Sequence, residues 1–395
     1  MYTRFRKEAM PMRKLGNALL DFFRKGDLLL LFLCVFTAVY GIVIIASATN
    51  YMGTHRYVLI QTVALAIGIL LYVLISLLDV EILAEHRQIL TVFNAVFLGM
   101  LLIWGVEGTS GNKSWLHFSF LPFNIQPAEL CKISFIIILA KTLSVHRNRV
   151  SSLRSVGSIT LHLLFITGLI VIISKDAGVA LTFVFIFLVM AYVGGVRGWW
   201  FLGGAASIAA VLPFAWTHFA REDQKQRIMM FFDPTIDPTG EGVRWQTNKS
   251  LSALSGGGVA GQGLFHGTMT QSGSVPAQHT DFIFSTIGEE LGLIGCILTL
   301  LLLAAIIVRC VYVGMKTPNY MNRLICIGIA SMLVFQIMVN VGMCIGVFPV
   351  IGLTLPFISY GGSSTITMFL AMGLVSGIRM RPDPDARSPY IQARY

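Results

Sequence analysis

Few ionisable residues stand within or beside the long apolar runs of this sequence, and they are where chemistry is expected. They are Glu129, Lys132, Asp176, Asp281, Glu289 and Glu290. Charged groups in such surroundings are costly, which makes each a functional candidate. Glu129 and Lys132 are three residues apart, so a helix puts them on one face. Such a pair can tie helices together or form the polar wall of an outward-facing cavity. Gln126-Pro127 just before it marks a helix start, with Pro in the first turn. Asp281, in His279-Thr280-Asp281-Phe282-Ile283-Phe284, begins an apolar run directly after a long polar segment. A carboxylate there can cap a helix. It can also serve as a general base at a membrane surface, where amphiphilic substrates present their head groups. His279 reads as a structural, hydrogen-bonding residue. Glu289 lies eight residues beyond Asp281, on roughly the same face and about 12 Å along the axis. Polar helix packing is the plainer reading of Glu289 and Glu290.

Other motifs are open to two readings. Ser255-Gly256-Gly257-Gly258 and Gly261-Gln262-Gly263 are dense in glycine, as a phosphate cradle is. No Gly-Lys-Ser/Thr follows, so a nucleotide P-loop is not supported. Gly361-Gly362-Ser363-Ser364 offers small residues for close helix contact or for a ligand. Lys225, Arg227, Arg244 and Lys249 are basic groups of the kind that meet a diphosphate, or are solvated surface charge. The cysteines, Cys34, Cys131, Cys296, Cys310, Cys326 and Cys344, fall in or at the ends of apolar runs without a Cys-x-x-Cys pair. They read as small apolar residues.

The elements that must position these residues are membrane helices. The chain of 395 residues is 55% hydrophobic and 12% charged, with a mean hydropathy of +0.75. A soluble chain averages about 25% charged. Ten runs are long enough to span a bilayer: roughly 27–48, 57–78, 88–106, 127–145, 157–174, 177–194, 198–217, 282–308, 322–345 and 357–378. The first reads as a retained anchor rather than a cleaved signal. With both termini cytoplasmic, most of the 29 Lys and Arg fall on inner segments, as the positive-inside rule requires. That distribution explains the net charge of +10 without nucleic acid, since no soluble segment interleaves arginines with aromatics. The expected organisation is a cytoplasmic basic N-terminus at 1–26, an all-α, polytopic membrane domain at 27–378 and a cytoplasmic tail at 379–395. Within the domain, 218–281 forms a large extracytoplasmic loop between the seventh and eighth spans. Loops that long are usually functional or disordered; Trp245, Phe231, Phe232 and Phe265 argue against disorder. No internal repeat of fixed period is present, which weighs against an inverted-repeat transporter.

In this order the motifs resemble the SEDS family (shape, elongation, division and sporulation), the RodA/FtsW type, over about 27–380. The matching segments are Gln126-Pro127-Ala128-Glu129 with Lys132, then Gln226-Arg227 leading to Asp233-Pro234 and Asp237-Pro238, and both glycine segments of the loop. His279 to Gly292, Asn340-Val341-Gly342 and Leu355 to Ser364 complete the match. The resemblance implies a peptidoglycan glycosyltransferase of the bacterial cytoplasmic membrane that polymerises lipid II, the undecaprenyl-diphosphate-linked disaccharide-pentapeptide, on the outer face. It implies that Asp281 is the essential aspartate, with Glu129, Lys132 and Trp115 also functional. Arg227, Glu289 and Ser363 are further candidates for substrate contact. The acceptor hydroxyl must lose a proton as it attacks the anomeric carbon, and Asp281 is the expected base. The diphosphate leaving group needs no general acid, unlike glycoside hydrolysis. Basic side chains, or a divalent cation (Mg or Mn) held in part by Asp281, would offset its charge. Undecaprenyl diphosphate is the expected by-product, inversion the expected outcome, and a class B penicillin-binding protein the expected partner. Asp27 and Gln226-Arg227-Ile228-Met229 lean toward the RodA type, and Gly352-Leu353-Thr354-Leu355-Pro356 toward FtsW.

Two departures from the family pattern stand out. Ser114 replaces an arginine before Trp115, and Ser174-Lys175-Asp176-Ala177-Gly178 keeps only Asp176 and Gly178 of a Gln-Pro-Asp-Leu-Gly motif. Two other functions stay open: a flippase for the lipid-linked precursor, and a non-catalytic scaffold for a cell-wall transpeptidase.

Overall fold

The computed structural model describes residues 20–106, 112–119, 121–218 and 244–381, with 225, 226, 229, 237 and 242 as isolated positions. Arg227, Asp233-Pro234 and most of the two terminal segments lie outside the described residues.

Each of the ten apolar runs is helical. In chain order the helices are α1 (Leu28–Ala48), α2 (Arg56–Leu77), α3 (Arg87–Gly99), α4 (Pro127–Val145), α5 (Leu153–Leu169), α6 (Ala177–Val193) and α7 (Gly198–His218). Then come α8 (Trp245–Gly257) and α9 (Thr268–Gln271) in the long loop, α10 (Ile283–Lys316), α11 (Tyr320–Cys344) and α12 (Gly362–Met380). Among the described residues, seven helices are long and apolar enough to cross a membrane. In lipid the backbone must bond to itself, which is why these runs are helical rather than extended. The ends are set locally. Asp27, Ser152, Asp176 and Asn319 accept backbone N–H groups as caps, and Pro127 opens the first turn of α4.

Helices α4, α11 and α12 form the centre. Most of their residues are buried, including Glu129, Lys132, Gln336 and Asn340. Polar groups are tolerated there because those helices face protein rather than lipid. The outer helices turn large apolar side chains such as Phe32, Leu59 and Leu301 outward. Helix α12 packs along α2 through small residues. A Cβ on Gly373 would lie 2.8 Å from the Tyr72 carbonyl oxygen, and one on Gly377 3.0 Å from that of Ser76. At the far end of α10 from Asp281, the buried Asp27 carboxylate is paired with Arg309 and Arg379, each at 2.9 Å. That knot ties α1, α10 and α12 together.

Two helix boundaries near the site differ from the sequence reading. The tenth run begins its helix at Gly362 rather than near 357, and Phe357 takes a left-handed φ of 65°. Residues 355–361 are therefore a shaped non-helical segment. Helix α10 runs to Lys316 and is broken at Gly292, whose φ is 66°. The break frees backbone groups that the loop then satisfies. Gln262 N–H donates to Glu289 (2.9 Å), Gly263 N–H to Glu290 (3.0 Å), and Leu293 N–H to Gly258 (3.0 Å). This pairing brings two backbones into contact, and only glycine fits. A Cβ on Gly257 would stand 1.9 Å from the Gly288 carbonyl oxygen, and one on Gly261 2.2 Å from that of Glu290. The glycine density thus serves a steric requirement, and the phosphate-cradle reading gives way to it. The described part of the loop is ordered and hydrogen-bonded to α10.

Candidate active site

Asp281 sits in a turn before α10. Thr280 and Phe282 both donate their N–H groups to the Ala277 carbonyl, and Ala277 has a φ of 47°. The helix cap is Phe282, and no side chain caps α10. The capping role open to Asp281 from sequence alone is therefore not the one it plays.

Its backbone is fixed from two sides. Asn340 of α11 donates through one amide nitrogen to the Asp281 carbonyl (2.8 Å) and to that of Leu353 (2.7 Å). The 355–361 segment supplies the other side. Ser359 Oγ donates to the Thr280 carbonyl (2.6 Å), and Tyr360 N–H to the His279 carbonyl (2.8 Å). Gln61 of α2 braces that segment by donating to the Ser359 carbonyl (3.3 Å) and accepting from Gly361 N–H (3.1 Å). The ring of His279 lies against Tyr57 and Tyr360. Burial lowers its pKa, and its Nδ1 is buried without a hydrogen-bond partner, so its structural role is ring packing rather than the hydrogen bonding expected from sequence.

The Asp281 side chain faces a cavity of about 350 Å³ that Glu129, Trp115, Asp176, Gln336 and Tyr360 also line. No hydrogen-bond donor among the described residues reaches the Asp281 carboxylate. Burial, with the Asp176 carboxylate second, pushes its pKa up to about 6. Gly352 stands beside it: a Cβ there would make only an ordinary 3.6 Å contact with Asp281 Oδ2, and it is the φ of 69° that calls for glycine. A carboxylate so placed can accept a proton near neutral pH, where a general base works best.

The segment that departs from the family pattern also reaches the cavity. Asp176 caps α6 by accepting Val179 N–H (3.1 Å), and Ser114 Oγ donates to its other oxygen (3.1 Å). Ser114, standing where the pattern has arginine, therefore orients an acid in the site. Burial raises the pKa of Asp176, and these two hydrogen bonds only partly offset it. Gly178 is required by the approach of Ile351, whose carbonyl oxygen would be 2.7 Å from a Cβ. Both residues that survive from the pattern thus have a structural reason, and Asp176, a candidate as a charged residue beside an apolar run, joins the site.

The remaining candidates divide. Lys132 Nζ donates to Glu129 Oε1 at 2.6 Å with both groups buried, and Glu129 Oε2 has no partner. The pair is a buried ion pair of which Glu129 lines the cavity and Lys132 does not. Trp115 is half-buried in a two-residue strand that pairs with Val106. Ser363 Oγ accepts Gln126 N–H (3.1 Å) and joins the starts of α4 and α12. It is a fastening outside the cavity lining. Glu289 is also elsewhere. Its carboxylate accepts from Met269 N–H (2.7 Å), Thr270 N–H (2.8 Å), Thr270 Oγ1 (2.6 Å) and Thr268 Oγ1 (3.2 Å). Those bonds hold the start of α9, so its expected substrate contact is replaced by a structural role. Arg227 lies outside the described residues. Gln336 and Asn340 do not ionise, so the cost of charge in an apolar run does not single them out. Two amides one turn apart within an apolar helix were the available signal.

The order and spacing of these parts match one family along nearly the whole chain. The family model FTSW_RODA_SPOVE, described as cell cycle protein, matches residues 27–383. The chain belongs to this FtsW/RodA/SpoVE family. A probable peptidoglycan glycosyltransferase FtsW of Geobacter metallireducens is 31% identical over 363 residues, 90% of this chain and 95% of the relative. The peptidoglycan glycosyltransferase MrdB of Escherichia coli K12 is 34% identical over 273 residues, 68% of this chain and 71% of that protein. A chain from the solved structure of a peptidoglycan synthase complex superposes with a TM-score of 0.77 at 30% identity, covering 91% of this chain and 99% of that one. In this FtsW/RodA/SpoVE protein the segments carrying the resemblance, 126–132, 279–281, 340 and 355–361, converge on the cavity and on the backbone of Asp281.

Proposed function

We propose that this membrane protein is a peptidoglycan glycosyltransferase that polymerises lipid II at the outer face of the bacterial cytoplasmic membrane, with Asp281 as general base. The observation that carries the assignment is a single carboxylate, rigidly backed by Asn340 and Ser359, facing an acid-lined cavity with no donor of its own. The acceptor sugar hydroxyl gives its proton to Asp281 as its oxygen bonds to the anomeric carbon of the donor. The bond from that carbon to the diphosphate breaks in the same displacement, the electron pair leaves with undecaprenyl diphosphate, and the anomeric centre inverts. Glu129 and Trp115 line the cavity and orient the head group, and the buried Lys132 fixes Glu129 through their ion pair.

Among the described residues, no group of three or more His, Cys, Asp or Glu is placed to hold a metal ion. The donor set nevertheless suits a hard divalent cation such as Mg or Mn, which is commonly held by one or two carboxylates together with substrate phosphates. Asp281 and Asp176 would hold it, and it would neutralise charge building on the leaving diphosphate. A class B penicillin-binding protein is the proposed partner, packed on lipid-facing helices. Support comes from the similar chain solved within a peptidoglycan synthase complex. Both termini are assigned to the cytoplasm from the distribution of Lys and Arg.

The test is polymerisation of purified lipid II by reconstituted protein, wild type against Asp281→Ala. Glycan strands from wild type and none from a folded Asp281→Ala variant are expected. Equal product from both overturns the base assignment, and flipping without polymerisation by wild type points to a transporter. Activity undiminished in excess chelator would remove the divalent cation.

A further inference from the structure

Gln336 lies on α11, four residues before the Asn340 that clamps Asp281. That spacing is one turn, about 6 Å along the axis. Its side chain lines the cavity while the residue as a whole is only 1% exposed. Among the described residues no hydrogen bond reaches either end of its amide, and Oε1 is buried without a partner. Buried polar groups are nearly always satisfied, so an exception in a cavity wall asks for an explanation. A second open acceptor, Glu129 Oε2, lines the same cavity. The other acids there, Asp281 and Asp176, carry the charge of the site. Gln336 is neutral and offers one donor face and one acceptor face. It therefore suits a neutral group with the complementary pair, such as the acetamido group of an amino sugar, rather than a phosphate.

We infer that Gln336 is a substrate-binding residue that hydrogen-bonds the acetamido group of a sugar held in this cavity. The inference rests on the glycosyltransferase reading and names a contact within it. The ligand satisfies the amide that the fold leaves open. A site built to hydrogen-bond its substrate also rejects analogues that lack the group.

Gln336→Met tests this, because methionine nearly keeps the volume and removes the amide. The expected result is a KM for lipid II raised about tenfold, the factor that a hydrogen bond of about 1.4 kcal/mol represents. The kcat should stay within about threefold of wild type, and the melting temperature in detergent should hold or rise, since an unsatisfied buried group is removed. An unchanged KM overturns the inference. So does a lowered melting temperature or loss of folding, because a partnerless amide contributes nothing to the fold. To separate this from failure of the glycosyltransferase reading, lipid II binding is measured with Asp281→Ala alone and with Asp281→Ala plus Gln336→Met. Binding weaker by about tenfold in the double variant supports the contact whether or not either protein polymerises. Equal binding overturns it.

Discussion

Asp281→Asn should lower activity and raise stability, and the structure gives a size for each. Burial, with Asp176 second, holds the Asp281 carboxyl at about 6 against an ordinary 3.8. Below the lower value the group is protonated in both the folded and the unfolded protein and its burial costs nothing. As pH rises from the lower value to the higher, the unfolded chain ionises while the folded protein keeps its proton, so stability is lost, and the loss is complete above the higher value. With about 1.4 kcal/mol for each tenfold change in proton affinity, the full loss near neutral pH is about 3 kcal/mol. Asparagine does not ionise, and its own partly buried amide returns about 1 kcal/mol of that gain. A net stabilisation of about 2 kcal/mol is expected at about pH 7.5, reversing to a net loss of about 1 kcal/mol near pH 3.5, where only the amide cost remains. Removing the base should lower the polymerisation rate at least about 100-fold. Thermal unfolding in detergent with chelator present, at both pH values, reads the first effect; strand synthesis from lipid II reads the second. In wild type, the rate should fall on the acid side as pH drops through about 6. An Asn variant less stable than wild type near neutral pH, or one that polymerises within a few-fold of it, would falsify the placement of Asp281 as a strained, working base.

Three further changes test the supports. Asn340→Ala removes both hydrogen bonds that fix the Asp281 and Leu353 carbonyls; kcat should fall about 10- to 100-fold with KM little altered, as expected for a misplaced base, and a wild-type kcat would show the clamp to be dispensable. Gly261→Ala puts a Cβ 2.2 Å from the Glu290 carbonyl oxygen at a φ of 80°, so a loss of about 2 kcal/mol or more is expected, and an unchanged melting temperature would contradict the loop–helix pairing. Asp27→Ala strips Arg309 and Arg379 of their shared counter-charge; stability should drop by about 3 kcal/mol while folded protein keeps polymerising, and loss of activity without loss of stability would place that knot in the catalytic cycle.

The helices were legible in the sequence because a bilayer imposes a one-dimensional rule. A run of apolar residues long enough to cross must satisfy its own backbone, and that depends on neighbours in the chain. The same rule made Glu129, Lys132 and Asp281 conspicuous, since charge in an apolar run is costly wherever the helix ends up. Resemblance then supplied the substrate class. What the sequence could not order were the residues whose meaning depends on a partner far along the chain. Asp176 looked like the remnant of a degraded motif, yet Ser114 turns it into the cavity. Glu289 looked like a neighbour of Asp281 on one helix face, but the loop at 268–270 claims its carboxylate. The glycines of 257–263 looked like a ligand loop and proved to be the contact surface for a helix broken at Gly292. Gln336 is one of two amides a turn apart in an apolar helix, and only the fold distinguishes it, by leaving its amide without a partner in the cavity wall. Hydropathy is local and was written in the chain; hydrogen-bond pairing is non-local, and only the tertiary structure decided which polar groups were satisfied and which were left open for chemistry.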